Sequence, residues 1–397
     1  MAAFVAWLAT SSVGYAQSLP AGPLSLAGGA LTVGGDVLAT AGPDDPGFFT
    51  YTSYDRSLLR LMQIDLTASA RAGRHVTLLG QLRTQNFGRV DVVAAYVRVR
   101  PWAHRRIDVQ AGRIPPTFGG FARRAYGQDN PLVGLPLAYQ YLTSLRTDSL
   151  PLDGEELLRM RGRGWLSRFT LGNTEPYHGL PLVNALQWDT GLQVHAESDV
   201  VEVTGAVTAG TISNPRLRDA TGLRQLVARA VVRPMTGLVL GTSVARGPFL
   251  TSGAEAWSRS RHDDGEYIQT SLGADAEYSR GHTLVRGELM RTAWNVPHLW
   301  SATAGRPLTA LALSMEVRQT LRPGLYAAGR LEHLGFSRIT GQGRQSEWEA
   351  PVSRIEVGGG YRLTRSLELK ASFQHNRRET FRFGRFTGLA SQLAYWF

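Results

Sequence analysis

The sequence predicts an all-β chain, a transmembrane antiparallel β-barrel of about sixteen strands. Three observations predict it. Apolar and polar residues alternate with a period of two through most of the chain, the mark of strands with one apolar and one wet face. The connections between those segments alternate between short turns and long loops. No run approaches the roughly 20 apolar residues of a membrane helix, and the mean hydropathy is −0.16, near the neutral value that a barrel with lipid-facing and water-facing residues in alternation gives.

Composition narrows the alternatives. A chain of 397 residues could hold two or three ordinary domains or one large barrel. Cys is 0, which excludes a disulfide scaffold, a thiolate metal site and a cysteine nucleophile. Lys+Arg 43 against Asp+Glu 32 leaves a net charge of +11. Lys370 is the single lysine, so the basic groups are guanidinium and stay ionised at physiological pH.

The chain opens on an apolar stretch at 2–9, then small residues and Gly14-Tyr15-Ala16. Small residues at alternate positions suit cleavage before Gln17, which makes 1–16 an export signal peptide, though no Lys or Arg precedes the stretch. A short segment, 17–30, leads into the barrel, 31–397. Sixteen segments alternate: 31–40 (Gly-rich), 58–70, 76–85, 89–100, 106–114, 186–197, 200–211, 223–233, 238–246, 267–279, 283–292, 309–320, 325–336, 352–363, 367–376 and 387–397. In 267–279, for instance, Ile268, Thr270, Leu272, Ala274, Ala276 and Tyr278 oppose Gln269, Ser271, Gly273, Asp275, Glu277 and Ser279. Most have the length of a tilted membrane strand, about 9–11 residues.

Short turns at 71–74, 101–105, 197–199, 234–237, 279–282, 322–324 and 364–366 alternate with loops, mostly long, on the other side. An even strand number with short turns at one end and long loops at the other is the pattern of bacterial outer-membrane barrels. A soluble β-sandwich would alternate too. It would split sixteen strands among two or more domains, and no linker composition divides this chain.

The segment 115–185 is the one unusual connection, long enough to be functional or disordered. It holds Phe118, Phe121, Leu132, Leu135, Leu137, Tyr139, Tyr141 and Leu142, too apolar to leave in water. The barrel interior is the nearest place to bury it, where it would act as a constriction loop with Arg123, Arg124 and Arg146 as its charged groups. An outer cap or a subunit contact is the alternative. Asp153 is placed to cap a short helix within 145–160. Residues 163–172 alternate weakly, so eighteen strands is the architectural alternative.

The inward faces carry Arg83, Arg98, Arg100, Arg229, Arg233, Arg318, Arg330 and Arg354, and also Asp275 and Glu277. As pore-lining groups most of them simply solvate a wet wall. Their distribution, with Arg83, Arg98 and Arg100 clustered and Asp275 and Glu277 far around the barrel, predicts a transverse field and a slight lean toward anions. No phosphate-loop or zinc-protease motif appears. The nine histidines are scattered, which does not suit a metal site. His195 and Glu197 share a face but lack an evident third partner. The reading is therefore no enzyme, no metal, no cofactor and no nucleic-acid partner. A lipid-modifying barrel enzyme and a non-conducting surface barrel are the alternatives.

The chain ends Ala394-Tyr395-Trp396-Phe397. A terminal Phe397 with an aromatic, Tyr395, two residues before it resembles the assembly signal of bacterial outer-membrane barrels. That resemblance implies folding by the barrel-assembly machinery into the outer membrane, among its lipid and lipopolysaccharide. With the strand count, the chain resembles a sixteen-stranded porin, which implies a homotrimeric, water-filled channel for small hydrophilic solutes. Gly112-Arg113-Ile114-Pro115-Pro116-Thr117-Phe118-Gly119 is similar to a strand-to-loop segment of phosphate-selective porins of the O/P type, whose anion path is lined by lysine and arginine.

Overall fold

The computed structural model describes residues 23–397 except 54–55, 103–104, 122–126, 185–187, 217–223, 252, 255–265, 342 and 381–382. The expected export signal, 1–16, and Arg123 and Arg124 lie outside the described residues.

Sixteen antiparallel strands form a closed barrel. They are β1 (Leu31–Ala41), β2 (Met62–Ala72), β3 (Val76–Gln85), β4 (Val90–Val99), β5 (Ile107–Ile114), β6 (Asp189–Glu197), β7 (Val201–Thr208) and β8 (Gln225–Met235). There follow β9 (Leu238–Pro248), β10 (Ile268–Arg280), β11 (Thr283–Trp294), β12 (Leu308–Arg322), β13 (Leu325–Phe336), β14 (Val352–Thr364), β15 (Leu367–Arg378) and β16 (Arg385–Trp396). Each pairs with its sequence neighbours, and β16 returns to β1 with Trp396 opposite Asp36 and Ser391 opposite Ala41.

The alternation becomes an inside and an outside. On β12, Leu311, Leu313, Met315 and Val317 are exposed, between 43% and 50%, while Ala310, Ala312 and Glu316 are buried. A sandwich would bury those leucines against a second sheet. Here they are the outermost surface, and with Leu272, Leu289, Leu331, Ile355, Leu369 and Phe373 they form an apolar belt suited to hydrocarbon.

The closing seam depends on one small residue. Phe397 exchanges backbone hydrogen bonds with Gly35, 2.9 and 3.0 Å long. A Cβ at Gly35 would meet the Phe397 ring at 2.5 Å, so glycine there lets the terminal ring lie against β1. Tyr395 stacks on Phe397 with ring centroids 5.9 Å apart. Past the end of β16, Leu24–Leu26 pairs with Leu31, Thr32 and Val33 and covers the free edge of β1.

Two sequence expectations are corrected. The segment 58–70 does not begin as a strand: Leu58–Arg60 is a 3-10 turn whose N-terminus is capped by Ser57, whose hydroxyl accepts from the Leu59 N–H. The eighteen-strand alternative also fails. Gly164–Leu166 is another 3-10 turn, and Leu171–Gly172 pairs with Ser149–Leu150 inside the long segment and not with the barrel. The helix expected there runs Gly154–Arg159, and the Asp153 carboxylate accepts from the Glu156 N–H at 2.8 Å.

Candidate functional site: the lumen and its inward segment

The long segment folds into the barrel. Leu132, Val133, Leu135, Leu137, Tyr139 and Tyr141 are all at least 95% buried; Leu132 clusters with Tyr326 and Ala328, and the others share one cluster with Met290, Trp294, Leu334 and Trp348. Its path from 127 to 136 has no regular secondary structure. Its N–H and C=O groups therefore lack a helix or sheet ladder, and burying them unpaired is costly. The charged residues of the wall supply what is missing.

On β13 and β14, two arginines take the carbonyls. Arg330 donates to the Gly134 carbonyl at 2.8 Å and to the Asn130 side-chain oxygen at 2.9 Å, while Glu316 balances its charge at 2.6 Å. Arg354 donates to the Leu135 carbonyl at 2.8 Å and to the Phe49 carbonyl at 2.9 Å. On β15 the Lys370 ammonium donates to the carbonyls of Gly127 and Asn130. Acids take the N–H groups. Glu356 accepts from Gly134 at 3.0 Å, Glu332 from Leu137 at 2.7 Å, and Glu288 from Gly120 at 2.6 Å and from the Tyr139 hydroxyl at 2.8 Å. Outside the strands, Glu349 accepts from the N–H groups of Ser144, Gly162 and Ala350. Its burial pushes the carboxyl up from the ordinary range despite those bonds.

The opposite flank is built differently. Arg83 pairs with Asp65 at 2.7 Å, Arg100 lies 3.8 Å from Asp108, and Arg233 pairs with Glu202 at 2.9 Å. Arg98 is half-buried, with no ion pair among the described residues. Arg229 on β8 grips Asp275 on β10 with two bonds of 2.6 and 2.8 Å. They meet across β9 at Gly241, where a Cβ would stand 2.5 Å from the guanidinium and 2.6 Å from the carboxylate. Glu277 pairs with Arg286 at 2.7 Å. Arg318 lies over the Tyr326 ring at 4.2 Å. Both poles of the expected transverse field are thus largely met by local partners. A cavity of about 540 Å³ remains beside β1–β4, lined by Asp36, Thr67, Gln81, Tyr96, Gln128 and Trp396 among others.

The expected lumen residues lie on inward faces, but Arg330 and Arg354 are 1% exposed, covered by the segment. Arg146 is turned into the segment itself, against the expectation of a constriction group. It is 1% exposed, holds Asp148 with two bonds of 2.9 Å, and donates to the carbonyls of Ser167 and Glu175. Burial alone would raise the Asp148 carboxyl. The hydrogen bonds from Arg146 and Asn173 outweigh it and hold the group below the usual range. Sequence reasoning noted Lys370 only as the single lysine, gave it no place in the site, and did not single out Glu349. Their signal was present: a lone lysine, and an acid set in the apolar run Trp348-Glu349-Ala350-Pro351. His195 bonds the Thr204 hydroxyl at 2.9 Å and lies 3.9 Å from Glu202. Among the described residues no group of three or more His, Asp or Glu could hold a metal ion.

No protein-family model matches the sequence, and no curated protein does. Solved structures do match in fold. In-vitro folded OmpT, an outer membrane protein of Vibrio cholerae, aligns with TM-score 0.55 and 11% identity over 94% of this chain and 99% of that one. The anion-selective porin from Comamonas acidovorans gives 0.56 and 10%, over 92% and 99%. The outer membrane channel DcaP of Acinetobacter baumannii gives 0.54 and 9%, over 95% and 100%. At such identities the likeness is one of fold, and the fold is that of a porin-like outer-membrane barrel.

Proposed function

We propose that the chain is a bacterial outer-membrane porin, a narrow water-filled channel through which small hydrophilic solutes diffuse passively, with a weak preference for anions. The observation that carries this reading is the inward segment. It is bound to the β11–β15 flank, so the wet space lies along the other flank, where the 540 Å³ cavity sits. A filled flank beside an open one favours a small size limit. Arg100, whose side chain is 59% exposed, and the half-buried Arg98 favour the lean toward anions, and the apolar belt favours the membrane. No enzyme chemistry is needed. Assembly by the outer-membrane insertion machinery rests on Tyr395 and Phe397, and a homotrimer among lipid and lipopolysaccharide fits the same class of barrel. One solved neighbour is described as a trimer form.

Reconstitution into planar bilayers tests the proposal. Discrete, steady conductance steps and sugar-dependent swelling of liposomes are expected. A second reading, a non-conducting surface barrel, is favoured by the near-complete burial of Arg330, Arg354, Lys370, Gln374 and Asn376 beneath the segment. A bilayer that shows no steps above its bare baseline would establish that reading and overturn the porin.

A further inference from the structure

We propose that the outer mouth carries a docking site for amphipathic organic anions, with a flat apolar body and one carboxylate, built from Arg159, Arg163, Phe48, Trp165, Leu166 and Phe383. This deepens the channel reading by naming a solute class. A cavity of about 950 Å³ lies where the β1–β2 loop, the inward segment and the β15–β16 loop meet. That is the long-loop end, so a solute entering from outside meets it first.

Its lining has two chemistries. The apolar part is preassembled: Phe48 and Trp165 stack with ring centroids 4.7 Å apart and planes 5° apart. The Arg378 guanidinium lies 4.9 Å from the Trp165 ring and 4.6 Å from the Phe49 ring. Leu166 and Phe383 leave 40% and 51% of their surface in water. Phe48 and Phe383 hold positive φ, +55° and +52°, a conformation that bulky residues rarely adopt. The fold thus keeps both rings at the cavity against local preference.

The charged part has unused capacity. Arg161 is engaged by Glu347 at 3.4 Å. Arg159 and Arg163 are exposed and have no ion pair among the described residues. The lining holds one acid, Glu379, against three arginines. A guanidinium fork fits a carboxylate well, while aromatic and leucine surface offers a small hydrated ion nothing. An anion with a flat apolar body uses both parts of the lining at once.

The test uses the full chain in nanodiscs and measures equilibrium binding of 2-naphthoate by calorimetry. Acetate keeps the charge without the flat body, and 2-naphthalenemethanol keeps the body without the charge. Naphthoate should bind at least about tenfold more tightly than either, the scale of one charge-assisted hydrogen bond. Arg159→Gln with Arg163→Gln should weaken naphthoate by about that factor. Phe383→Ser should weaken naphthoate and leave acetate unchanged. If the double variant loses its heat-modifiable mobility, single Arg159→Gln and Leu166→Ser, both at exposed positions, carry the same test. Equal affinity for naphthoate and acetate, or an unchanged affinity in the arginine variants, would overturn the site. Conductance of the same preparation separates this result from the channel reading. Binding without conduction refutes the porin and leaves the site; conduction without naphthoate binding refutes the site alone.

Discussion

From β11 to β15, Arg330, Arg354, Glu332, Glu356 and Lys370 direct their hydrogen bonds at the backbone of the inward segment. From β2 to β8, Arg83, Arg100 and Arg233 face acids of the wall itself, Asp65, Asp108 and Glu202. Both flanks have the same alternating charged pattern in sequence. What separates them is whether an irregular stretch of chain lies against them with unsatisfied peptide groups. A buried charge is tolerated where it is paired and fully hydrogen-bonded, and the segment provides that on one flank. The other flank is satisfied mainly within the wall, as where Gln63, Gln81 and Arg83 all donate to Asp65.

Removing the segment should erase the difference, and this is the largest effect expected. Replacing 120–180 with a short Gly/Ser linker frees the β11–β15 charges into an aqueous lumen of a sixteen-stranded barrel, which is wide enough to conduct without it. Conductance should rise several-fold while the barrel keeps its heat-modifiable shift. Equal conductance before and after the deletion would mean that the segment does not set the pore size.

Single substitutions sharpen the comparison. Arg330→Met removes a fully buried guanidinium from between Glu316 and Glu356 and takes one of two donors from the Gly134 carbonyl, leaving Glu316 with Arg286 and the carbonyl with the Asn130 amide. Breaking a buried pair in this way costs about 3–5 kcal/mol, enough to loosen the segment. Arg83→Met leaves Asp65 still accepting from Gln63 and Gln81, at 2.6 and 2.8 Å. The loss there should be about 1–3 kcal/mol. Limited proteolysis separates the two: cuts between 127 and 150 should appear in Arg330→Met and not in Arg83→Met. Equal resistance in both would remove the distinction between the flanks.

The barrel was legible in the sequence because its signal is local. Each strand states its own inside and outside, as Leu311, Leu313, Met315 and Val317 do on β12, and the turn rhythm orders the strands. The site was half legible. The inward charges of Arg330 and Arg354 follow from parity alone, but their partners, Gly134 and Leu135, lie some two hundred positions away in a segment without periodicity. Nothing local records that a carbonyl at 134 needs a guanidinium at 330. Arg146 misled for a related reason. An arginine in an inward loop reads as a pore group, and only the fold shows that Asp148, two residues on, turns it inward.

Ion preference gives a smaller contrast. Among Arg83, Arg98 and Arg100, only the last two reach lumen water: the Arg83 side chain is 9% exposed and that of Arg100 59%. Replacing all three with Gln should move the reversal potential in a salt gradient toward cations. The Arg98→Gln, Arg100→Gln pair should give most of that shift. If Arg83→Gln alone reproduces the triple variant, the water-facing arginines do not set the preference.

The smallest expected effect concerns pH and uses the two acids that hold the segment outside the strands. The Asp148 carboxyl is held below its ordinary value of 3.8, because the bonds from Arg146 and Asn173 outweigh its burial. Its stabilisation is complete above that ordinary value and is lost as pH falls through the depressed one. Glu349 has the opposite sign. Burial raises it above its ordinary 4.5, so its contribution is complete below that value and is lost as pH rises through the raised one. The segment should therefore be firmest in mildly acid solution and weaken on both sides. Melting followed through Trp165 fluorescence, on a chain whose other tryptophans are replaced by Phe, would show this as a shallow maximum in midpoint against pH. Asp148→Asn should remove the acid limb alone. It should fall below the parent chain above the ordinary aspartate value and converge with it as pH falls through the depressed one. An acid limb that survives intact in Asp148→Asn would show that the Arg146–Asp148 pair does not hold the segment, and that acids of the wall respond first.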